Sequence, residues 1–354
     1  MNTFGERLRL TTFGESHGKA LGGIIDGFPP GFKIDFNLLY KEVEKRRPGN
    51  SILVSARDEK DFPEFLSGIS DDGFTLGTPI GFIIRNTDTQ ASDYRQMTHA
   101  FRPNHADYSY YKRYGISPQP GGGRASARET ANWTVAGALC SQWLSSKNIN
   151  IEAALVGVGD LEAKDVFEPF ISADSKEFHL KIDSQLQRKF EKLILEVKKN
   201  GDSVGGKVGC VITGLPPGIG NPVFDKLQSR LGAAMMSINA AKGFEYGIGF
   251  KAANAFGSAT ADMFISSKEN NECIISTSSN FSGGIQGGIS NGMPIYFSVA
   301  FKPTPTLLRD IPTVDMDGNK CEIKCQGRHD PCVAVRAVQV VKSMASLVIA
   351  DFLV

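Results

Sequence analysis

Apolar residues recur every three or four positions in several stretches of the chain, as they do on the buried face of a helix. Leu39 and Val43 have this spacing in a stretch that begins with Asp35, a candidate N-cap, and stops at Pro48. Asp183 opens a second such stretch in the same way. The pattern predicts helices within 35–49, 126–146, 183–201, 223–238 and 331–354.

Other stretches are rich in β-branched and aromatic residues and are bounded mostly by glycine or proline, which is typical of strands. They are 8–13, 77–86, 205–215, 271–279 and 293–303. The order of strands and helices shows no steady β-α-β rhythm and no long repeat, so neither a solenoid nor a propeller is indicated. We therefore predict a mixed α+β fold with antiparallel sheets. The polar, irregular segment 161–183 is predicted to be a peripheral variable segment or loop.

Size and charge narrow the class of protein. The 354 residues allow one large domain or two smaller ones. The 39 basic and 38 acidic residues nearly cancel, whereas a nucleic-acid-binding protein usually has a strong basic excess. No secretory signal is recognisable, and no apolar run approaches the ~20 residues that span a bilayer. We expect a cytoplasmic soluble protein that binds neither nucleic acid nor a membrane.

The six cysteines are expected to be reduced thiols, because a large chain without a secretory signal seldom uses a disulfide framework. Cys321, Cys325, His329 and Cys332 leave a zinc site open as another interpretation. Their spacing matches no common structural zinc pattern, and no second pair of ligands lies elsewhere in the chain. We therefore expect no metal.

Polar residues stand among glycines in four stretches, which is unusual for loops that only connect elements. In the first stretch, Glu15, Ser16 and His17 lie between Gly14 and Gly18. Glycines on both sides allow the backbone to approach a ligand closely. An ordinary turn with a surface histidine explains this stretch, taken alone, equally well.

The second stretch has His105 ahead of a triple glycine at 121–123, with Arg124 and Arg128 after it. The glycines are predicted to open a helix, whose unpaired N–H groups favour an anion. The spacing fits neither a nucleotide-binding P-loop nor a Rossmann fingerprint. A flexible glycine hinge is the other interpretation, which the two arginines disfavour.

In the third stretch, 281–306, glycines precede a strand that ends at Lys302. Close approach to a flat cofactor would explain them, and so would a bulged hairpin. In the fourth, Asp330 and Pro331 are predicted to be the N-cap and first residue of the last helix, which should run almost to the C-terminus. An anion at the same helix end is compatible with that role. Cys332 would lie in the first helical turn, so a nucleophilic role is not expected.

Taken together, these stretches resemble the chorismate synthase family. The resemblance runs in order from about Arg9 to the C-terminus through TTFGESHG, FRPNHADYSYYKRYG, GGGRASARET, GDSVGGKV, SGGIQGGISNG and GRHDPC. It implies a single domain over 1–354, in which helices lie between two mostly antiparallel sheets. It also implies a homotetramer located in the cytoplasm.

The resemblance implies an enzyme of the shikimate pathway, which supplies aromatic amino acid biosynthesis. Members of the family convert 5-enolpyruvylshikimate-3-phosphate into chorismate by anti-1,4-elimination of phosphate and the C6 hydrogen. They require reduced FMN although the reaction has no net redox change, and NADPH is one candidate reductant. The alternative is a non-catalytic flavin- or phosphometabolite-binding protein of the same fold. Because substrate and cofactor are polyanions and the chain is nearly neutral, arginines must be concentrated at the site.

The resemblance also assigns roles to individual residues. His17 would protonate the departing phosphate, His105 would protect the reduced flavin, and Asp330 would help to remove the C6 proton. Ser16 and Ser126 would support these groups by hydrogen bonds. The FMN-binding residues would be Arg124, Ala125, Ser126, Asn239, Ala240, Gly287, Lys302, Pro303, Thr304, Pro305, Thr306 and Arg328. The substrate-binding residues would be Arg46, Arg102, Ser126, Arg128 and Arg328.

Three positions depart from the usual family pattern. Many members have arginine where this chain has Ile52 and Pro120, and serine is commoner where it has Ala125. The departures bear on the substrate clamp and on contact with NADPH, and Arg57 is the candidate to compensate for Ile52. The two histidines and the aspartate are unaffected.

Overall fold

The computed structural model describes residues 1–49, 51–55, 59–87, 100–172, 179–269, 272–324 and 329–354. The α-helices in these ranges are α1 Phe36–Arg46, α2 Asp107–Tyr114, α3 Thr130–Ser145, α4 Glu168–Ile171, α5 Ser184–Lys199, α6 Leu227–Met236 and α7 Ala334–Leu353. The strands are β1 Thr3–Phe4, β2 Arg9–Gly14, β3 Ala20–Asp26, β4 Pro63–Phe65, β5 Ile80–Arg85, β6 Asn150–Val158, β7 Leu161–Glu162, β8 Gly206–Thr213, β9 Ala241–Tyr246, β10 Phe264–Glu269, β11 Glu272–Thr277, β12 Ile285–Gln286, β13 Ile289–Ser290, β14 Ile295–Phe301, β15 Asp310–Val314 and β16 Lys320–Lys324. Within these ranges no helix is both long enough and apolar enough to cross a bilayer.

Most strands belong to two five-stranded antiparallel sheets. The first has the order β1-β2-β3-β5-β4 and the second the order β7-β6-β8-β14-β9. In the first sheet Thr12 lies opposite Gly23, and in the second Cys210 lies opposite Phe297. The remaining strands pair as β10-β11, β12-β13 and β15-β16.

Two helices between the sheets form the centre of the core. Helix α3 contacts β2 and β3 of the first sheet, whereas α7 contacts β6 and β8 of the second. The two helices pack so closely that a Cβ atom on Gly137 would lie 2.5 Å from the Cα of Ser343. Helices therefore lie between two antiparallel sheets, which confirms the predicted α+β sandwich.

Most of the helices and strands predicted from the sequence pattern are present in the structure. Asp35 caps α1 by accepting a hydrogen bond from the Leu38 amide at 3.0 Å, and Asp183 caps α5. The predicted strands correspond to β2, β5, β8, β11 and β14. The pattern does not predict β3, because its glycines resemble a loop. They make room for a neighbouring ring instead: a Cβ atom on Gly22 would lie 2.8 Å from Cε2 of Phe13.

The prediction for the start of the last helix is wrong. Helix α7 begins at Ala334 rather than Pro331, and its N-cap residue is Val333, which makes no side-chain cap. Distant segments hold the backbone ahead of it, since the Val204 amide donates to the Pro331 carbonyl at 2.8 Å. Asp330 does not cap the helix, because its carboxylate accepts instead from the Ser55 amide and from the side chain of Arg336 within α7.

The segment 161–183 contains β7 and α4, and residues 173–178 lie outside the described ranges. Its described part is anchored, because Phe170 is buried with Val211 and Tyr296. The assignment of this segment as variable and peripheral, within a single domain, stays a prediction.

Candidate active site

A cavity of about 540 Å³ lies where several loops meet, among them those after β2, after α1, before α2, before α3, before β9, after β14 and before α7. Its lining includes residues from every set assigned by resemblance: Ser16, Arg102, His105, Ala125, Ser126, Arg128, Asn239, Ala240, Lys302, Thr304, Pro305, Thr306 and Asp330. Residues separated by more than 300 positions in the sequence thus face the same space.

The first residue of the triple glycine, Gly121, lines this cavity. Gly121, Gly122 and Gly123 all have left-handed φ angles, of 73°, 94° and 52°, which favour glycine. They belong to a 3₁₀ segment, and α3 starts only at Thr130, so the prediction that they open that helix is wrong.

The glycine turn brings the two histidines against adjacent residues. A Cβ atom on Gly121 would lie 2.6 Å from Nε2 of His17, and one on Gly122 would lie 3.0 Å from Cε1 of His105. Any larger residue at either position would displace an imidazole. The turn therefore explains why these glycines are needed, and it places both candidate proton carriers at one wall, where Gly121 and His105 line the cavity and His17 lies against Gly121.

Two serines connect the first glycine-bounded loop to this wall. The Oγ atoms of Ser16 and Ser126 are 3.2 Å apart, and Ser126 Oγ accepts a weak hydrogen bond from the Arg128 amide at 3.4 Å. Ser16 is buried beside His17. The arrangement agrees with a supporting role for both serines.

His105 has an ionic partner that sequence reasoning missed. Its Nδ1 lies 2.7 Å from Oδ1 of Asp107, and Arg102 donates to both oxygens of the same carboxylate at 2.7 Å. Burial raises the pKa of Asp107, but the hydrogen bonds from Arg102 and His105 hold it well below its usual range. The signal lies in the motif itself, because Asp107 follows His105 by two residues.

Asp330, which also lines the cavity, is held by two groups. Oδ1 accepts from the Ser55 amide at 2.8 Å, and Oδ2 accepts from Nη1 of Arg336 at 2.8 Å. Burial raises the pKa of Asp330, but the Arg336 charge and the Ser55 hydrogen bond outweigh burial and bring this pKa below its usual value. The carboxylate is therefore ionised at neutral pH. Arg336 lines the cavity and was not predicted; an arginine in the first turns of an apolar helix was the available signal.

Arg128 and Arg46 share the carboxylate of Asp61, which also escaped prediction. Arg128 lines the cavity and pairs with Asp61 Oδ1, and Arg46 Nη1 lies 3.0 Å from Oδ2. Arg46 is fully buried, does not line the cavity, and donates to the Ala127 carbonyl at 2.7 Å. Burial, together with the Arg336 charge, lowers the pKa of Arg46 to about 9, so it is still protonated at neutral pH.

The residues just before β9 and those just after β14 form another part of the lining. Nδ2 of Asn239 donates to the Ala125 carbonyl at 2.9 Å, whereas its Oδ1 is buried without a hydrogen-bond partner among the described residues. Ala240 has a left-handed φ of 69°, and its carbonyl accepts from the Lys302 amide at 3.0 Å. Burial, and then the charge of Lys242, lowers the pKa of Lys302.

Several predicted residues do not line the cavity. Arg124 pairs with Glu129 at 2.6 Å and with Thr12 Oγ1 at 2.9 Å, on the side of β2. Gly287 lies in the turn between β12 and β13, and Pro303 packs near Gly205. Arg328 lies outside the described residues.

The departures from the family pattern have different surroundings. Ala125 lines the cavity, whereas the side chain of Ile52 is exposed away from it, and Pro120 opens the 3₁₀ segment. Arg57, the proposed compensating residue, lies outside the described ranges, as does Cys325 of the zinc interpretation.

The chemistry available in the cavity follows from these groups. Arg102, Arg128, Arg336 and Lys302 can bind a polyanion, and His105 lines the cavity as a group for proton transfer. His17 does not line the cavity but lies against Gly121, which does. An ionised carboxylate, Asp330, lies among them as a proton acceptor. Such a set suits elimination from a phosphorylated carboxylic acid.

Comparisons with a family model, with curated relatives and with a solved structure point to the same family. The model of a family described as chorismate synthase matches residues 8–354. A chorismate synthase of Christiangramia forsetii is 50% identical over 351 residues, covering 99% of this chain and 97% of the relative. One from Azobacteroides pseudotrichonymphae is 48% identical over 353 residues, covering 99% of both. A crystal structure of a chorismate synthase aligns with a TM-score of 0.77 and 31% identity, over 99% of this chain and 92% of that one.

Proposed function

Since the chain belongs to the chorismate synthase family and is therefore a carbon–oxygen lyase, we propose that it converts 5-enolpyruvylshikimate-3-phosphate into chorismate. The reaction is an anti-1,4-elimination of phosphate and the C6 hydrogen, with reduced FMN required and no net redox change. The enzyme thereby serves aromatic amino acid biosynthesis.

One observation supports this proposal above the others. His17 and His105 contact adjacent glycines of a single turn, and Asp330 faces the cavity that this turn lines. An acid for the leaving phosphate and a base for the C6 proton must act on one substrate. Their convergence from three separate loops meets that requirement.

The residues present also fit an FMN molecule. Asn239 Oδ1 is a buried acceptor without a partner among the described residues, and the flavin ring system carries an N–H donor. Asn239, Ala240, Ser126, Lys302 and the residues 304–306 would hold the cofactor, with Lys302 supplying positive charge for an anion. When bound there, reduced FMN would supply electron density for cleavage of the C–O bond.

The remaining steps belong to the protein. Arg102, Arg128 and Arg336 bind and orient the phosphate and carboxylates of the substrate. His17 gives a proton to the departing phosphate, which lowers the charge that develops on the leaving group. Asp330, ionised at neutral pH, accepts the C6 proton, although its ion pair with Arg336 limits its basicity.

The test is anaerobic turnover with chemically reduced FMN, measuring phosphate release and chorismate formation together. Both products should appear in equal amounts. A protein that binds FMN and substrate but releases no phosphate would belong to the non-catalytic alternative. Repeating the assay aerobically with NADPH and oxidised FMN tests whether the enzyme reduces its own flavin.

Two variants test the assigned acid–base groups within that assay. His17→Ala and His105→Ala should each keep the fold but slow phosphate release by ~10² or more, the usual contribution of a positioned acid or base. Unchanged circular dichroism and melting temperature provide the control. Full activity in both variants would contradict the assignment of His17 and His105 as acid–base groups.

We also propose that the enzyme acts as a cytoplasmic homotetramer. Several apolar side chains within residues 250–264 are exposed, including Phe250, Phe256 and Phe264. Such side chains support association between copies of the chain. Sedimentation equilibrium should give four times the monomer mass. Phe264→Glu should shift the equilibrium toward smaller species, and a monomeric wild-type protein would contradict the proposal.

A further inference from the structure

The imidazole of His105 has its two nitrogens in different surroundings. Nδ1 points away from the glycine turn, to Oδ1 of Asp107 at 2.7 Å and Nη2 of Arg102 at 3.0 Å. Nε2 lies on the side of Gly122, 3.4 Å from the position of a Cβ atom there, and His105 and Gly121 both line the cavity. A proton exchanged with the cavity must therefore be carried by Nε2.

The carboxylate of Asp107 is immobilised from several directions. It is buried at the start of α2, and Oδ2 accepts from both Nε and the backbone amide of Arg102, at 2.7 and 3.2 Å. Oδ1 accepts from Nη2 of Arg102 at 2.7 Å. These hydrogen bonds keep Asp107 ionised, so it can only accept a hydrogen bond from His105.

From this geometry we propose that Asp107 is a positioning residue that keeps the hydrogen of neutral His105 on Nδ1. Nε2 is then a free acceptor toward the cavity, ready to take or return a proton. The inference deepens the proposed function and rests on it for its catalytic consequence. The tautomer itself is a property of the protein alone.

Asp107 also orients Arg102. Two of the three guanidinium nitrogens are bound to the carboxylate, and Nη1 has no hydrogen-bond partner among the described residues. That nitrogen is the one left for a substrate anion. Loss of Asp107 should therefore disturb proton transfer by His105 and binding by Arg102, which affect kcat and KM respectively.

Asp107→Asn is the informative substitution, because an amide has one acceptor where the carboxylate has two. Oxygen at the Oδ2 position keeps the hydrogen bonds from Nε and the backbone amide of Arg102 and loses only the one from Nη2. The reverse placement would set the NH₂ group against both of the first two donors, so the NH₂ group is expected at the Oδ1 position. The NH₂ group then donates to His105 Nδ1, which forces the hydrogen onto Nε2. The equivalent change in a Ser-His-Asp triad acts through the same wrong tautomer and lowers kcat by about 10⁴.

The tautomer is measured by ¹⁵N NMR of the whole chain labelled at histidine, with His105→Ala to assign the signals. Wild-type His105 in its neutral form should carry its hydrogen on Nδ1, and Asp107→Asn should move it to Nε2. The kcat for phosphate release should fall ~10²-fold in Asp107→Asn, and Asp107→Glu should recover part of it. Asp26→Asn, which removes an exposed carboxylate paired with Arg9 at 2.6 Å, is the matched control and should change neither quantity.

The outcomes separate the two levels of inference. A hydrogen on Nε2 in the neutral wild-type protein overturns the role of Asp107, and this measurement needs no Asp107 variant to fold. Asp107→Asn with the wild-type tautomer and full kcat overturns it as well. If the wild-type protein shows the expected tautomer but no turnover with reduced FMN, the proposed function fails while the positioning of His105 stands.

Discussion

The two ends of α7 each have an aspartate–arginine pair, yet their surroundings differ. Ahead of the helix, Asp330 pairs with Arg336 at 2.8 Å and accepts from the Ser55 amide. Near the C-terminal end, Asp351 pairs with Arg230 at 2.6 Å and accepts from three consecutive backbone amides, those of residues 6–8. Both carboxylates are almost fully shielded from solvent.

The difference lies in what surrounds each pair. At Asp351 the partners tie the N-terminal segment to the last helix. At Asp330 the pair faces a cavity whose lining also holds further cations and the imidazoles of His105 and His329. A buried ion pair is weak evidence of function by itself. The comparison teaches that the cavity and its surplus of hydrogen-bond donors, rather than the pair, identify a site of chemistry.

The largest expected effect tests the cavity end. Asp330→Asn should lower kcat for phosphate release by ~10² or more, because the amide cannot accept the C6 proton. Some stability should be lost as well, because the ion pair with Arg336 is broken, so turnover is expressed per folded molecule. Steady-state kinetics under anaerobic conditions measure the first quantity, and calorimetry measures the second. A variant that loses stability but keeps turnover would make both ends of α7 structural.

The opposite result is expected at the other end. Asp351→Asn weakens an ion pair and several charge-assisted hydrogen bonds, so the free energy of unfolding should fall by about 2–3 kcal/mol. Turnover per folded molecule should stay unchanged, since Asp351 does not line the cavity. Urea denaturation gives the free energy, and the activity of the folded fraction gives the control. A loss of kcat without loss of stability would abolish the distinction.

A smaller effect sharpens the role of Arg336. Its charge lowers the pKa of Asp330, and this base is active only above that pKa. Arg336→Met removes the charge but keeps the burial, so the pKa of Asp330 should rise and the acidic limb of the pH–kcat/KM profile should move to higher pH. Arg336→Lys retains a charge and should move it less. An unchanged acidic limb in Arg336→Met would separate Asp330 from the observed pH dependence.

The lowered pKa of Asp330 also determines how the stability of the fold depends on pH. Because folding depresses the pKa of Asp330, the resulting stabilisation is present above the unfolded pKa and is lost as the pH falls through the folded value. Arg336→Met should therefore reduce stability at neutral pH more than at strongly acidic pH. Denaturation curves at both values measure the difference.

The smallest effect is expected at Cys332, between Asp330 and the start of α7. Burial raises the pKa of its thiol to about 11, so it is neither a nucleophile nor a ready metal ligand at neutral pH. Cys332→Ala should keep kcat within about twofold and cost about 1 kcal/mol of stability. Turnover after dialysis against a chelator is the second measurement. A zinc requirement would contradict the prediction.

Many helices and strands of the fold are determined by short stretches of sequence. The caps at Asp35 and Asp183 and the β-branched strands depend on neighbours a few residues away, so sequence patterns locate α1, α5 and β14. Strand β3 is not predicted because its glycines are explained by rings on the two adjacent strands, Phe13 beside Gly22 and Phe82 beside Gly23. Strand pairing is a contact between distant segments, which local propensity does not contain.

The same division applies to the candidate site. The sequence by itself determined the identities of the histidines, the arginines and Asp330, together with the resemblance that their motifs carry. Only the tertiary structure decided that Asp330 binds Arg336 instead of capping a helix, and that Arg46 is buried behind the cavity wall. It also decided that His17 meets a glycine turn more than 100 positions away. The physical reason is that charge-assisted pairs and close backbone approaches form across the folded chain, where distance in sequence places no limit on contact.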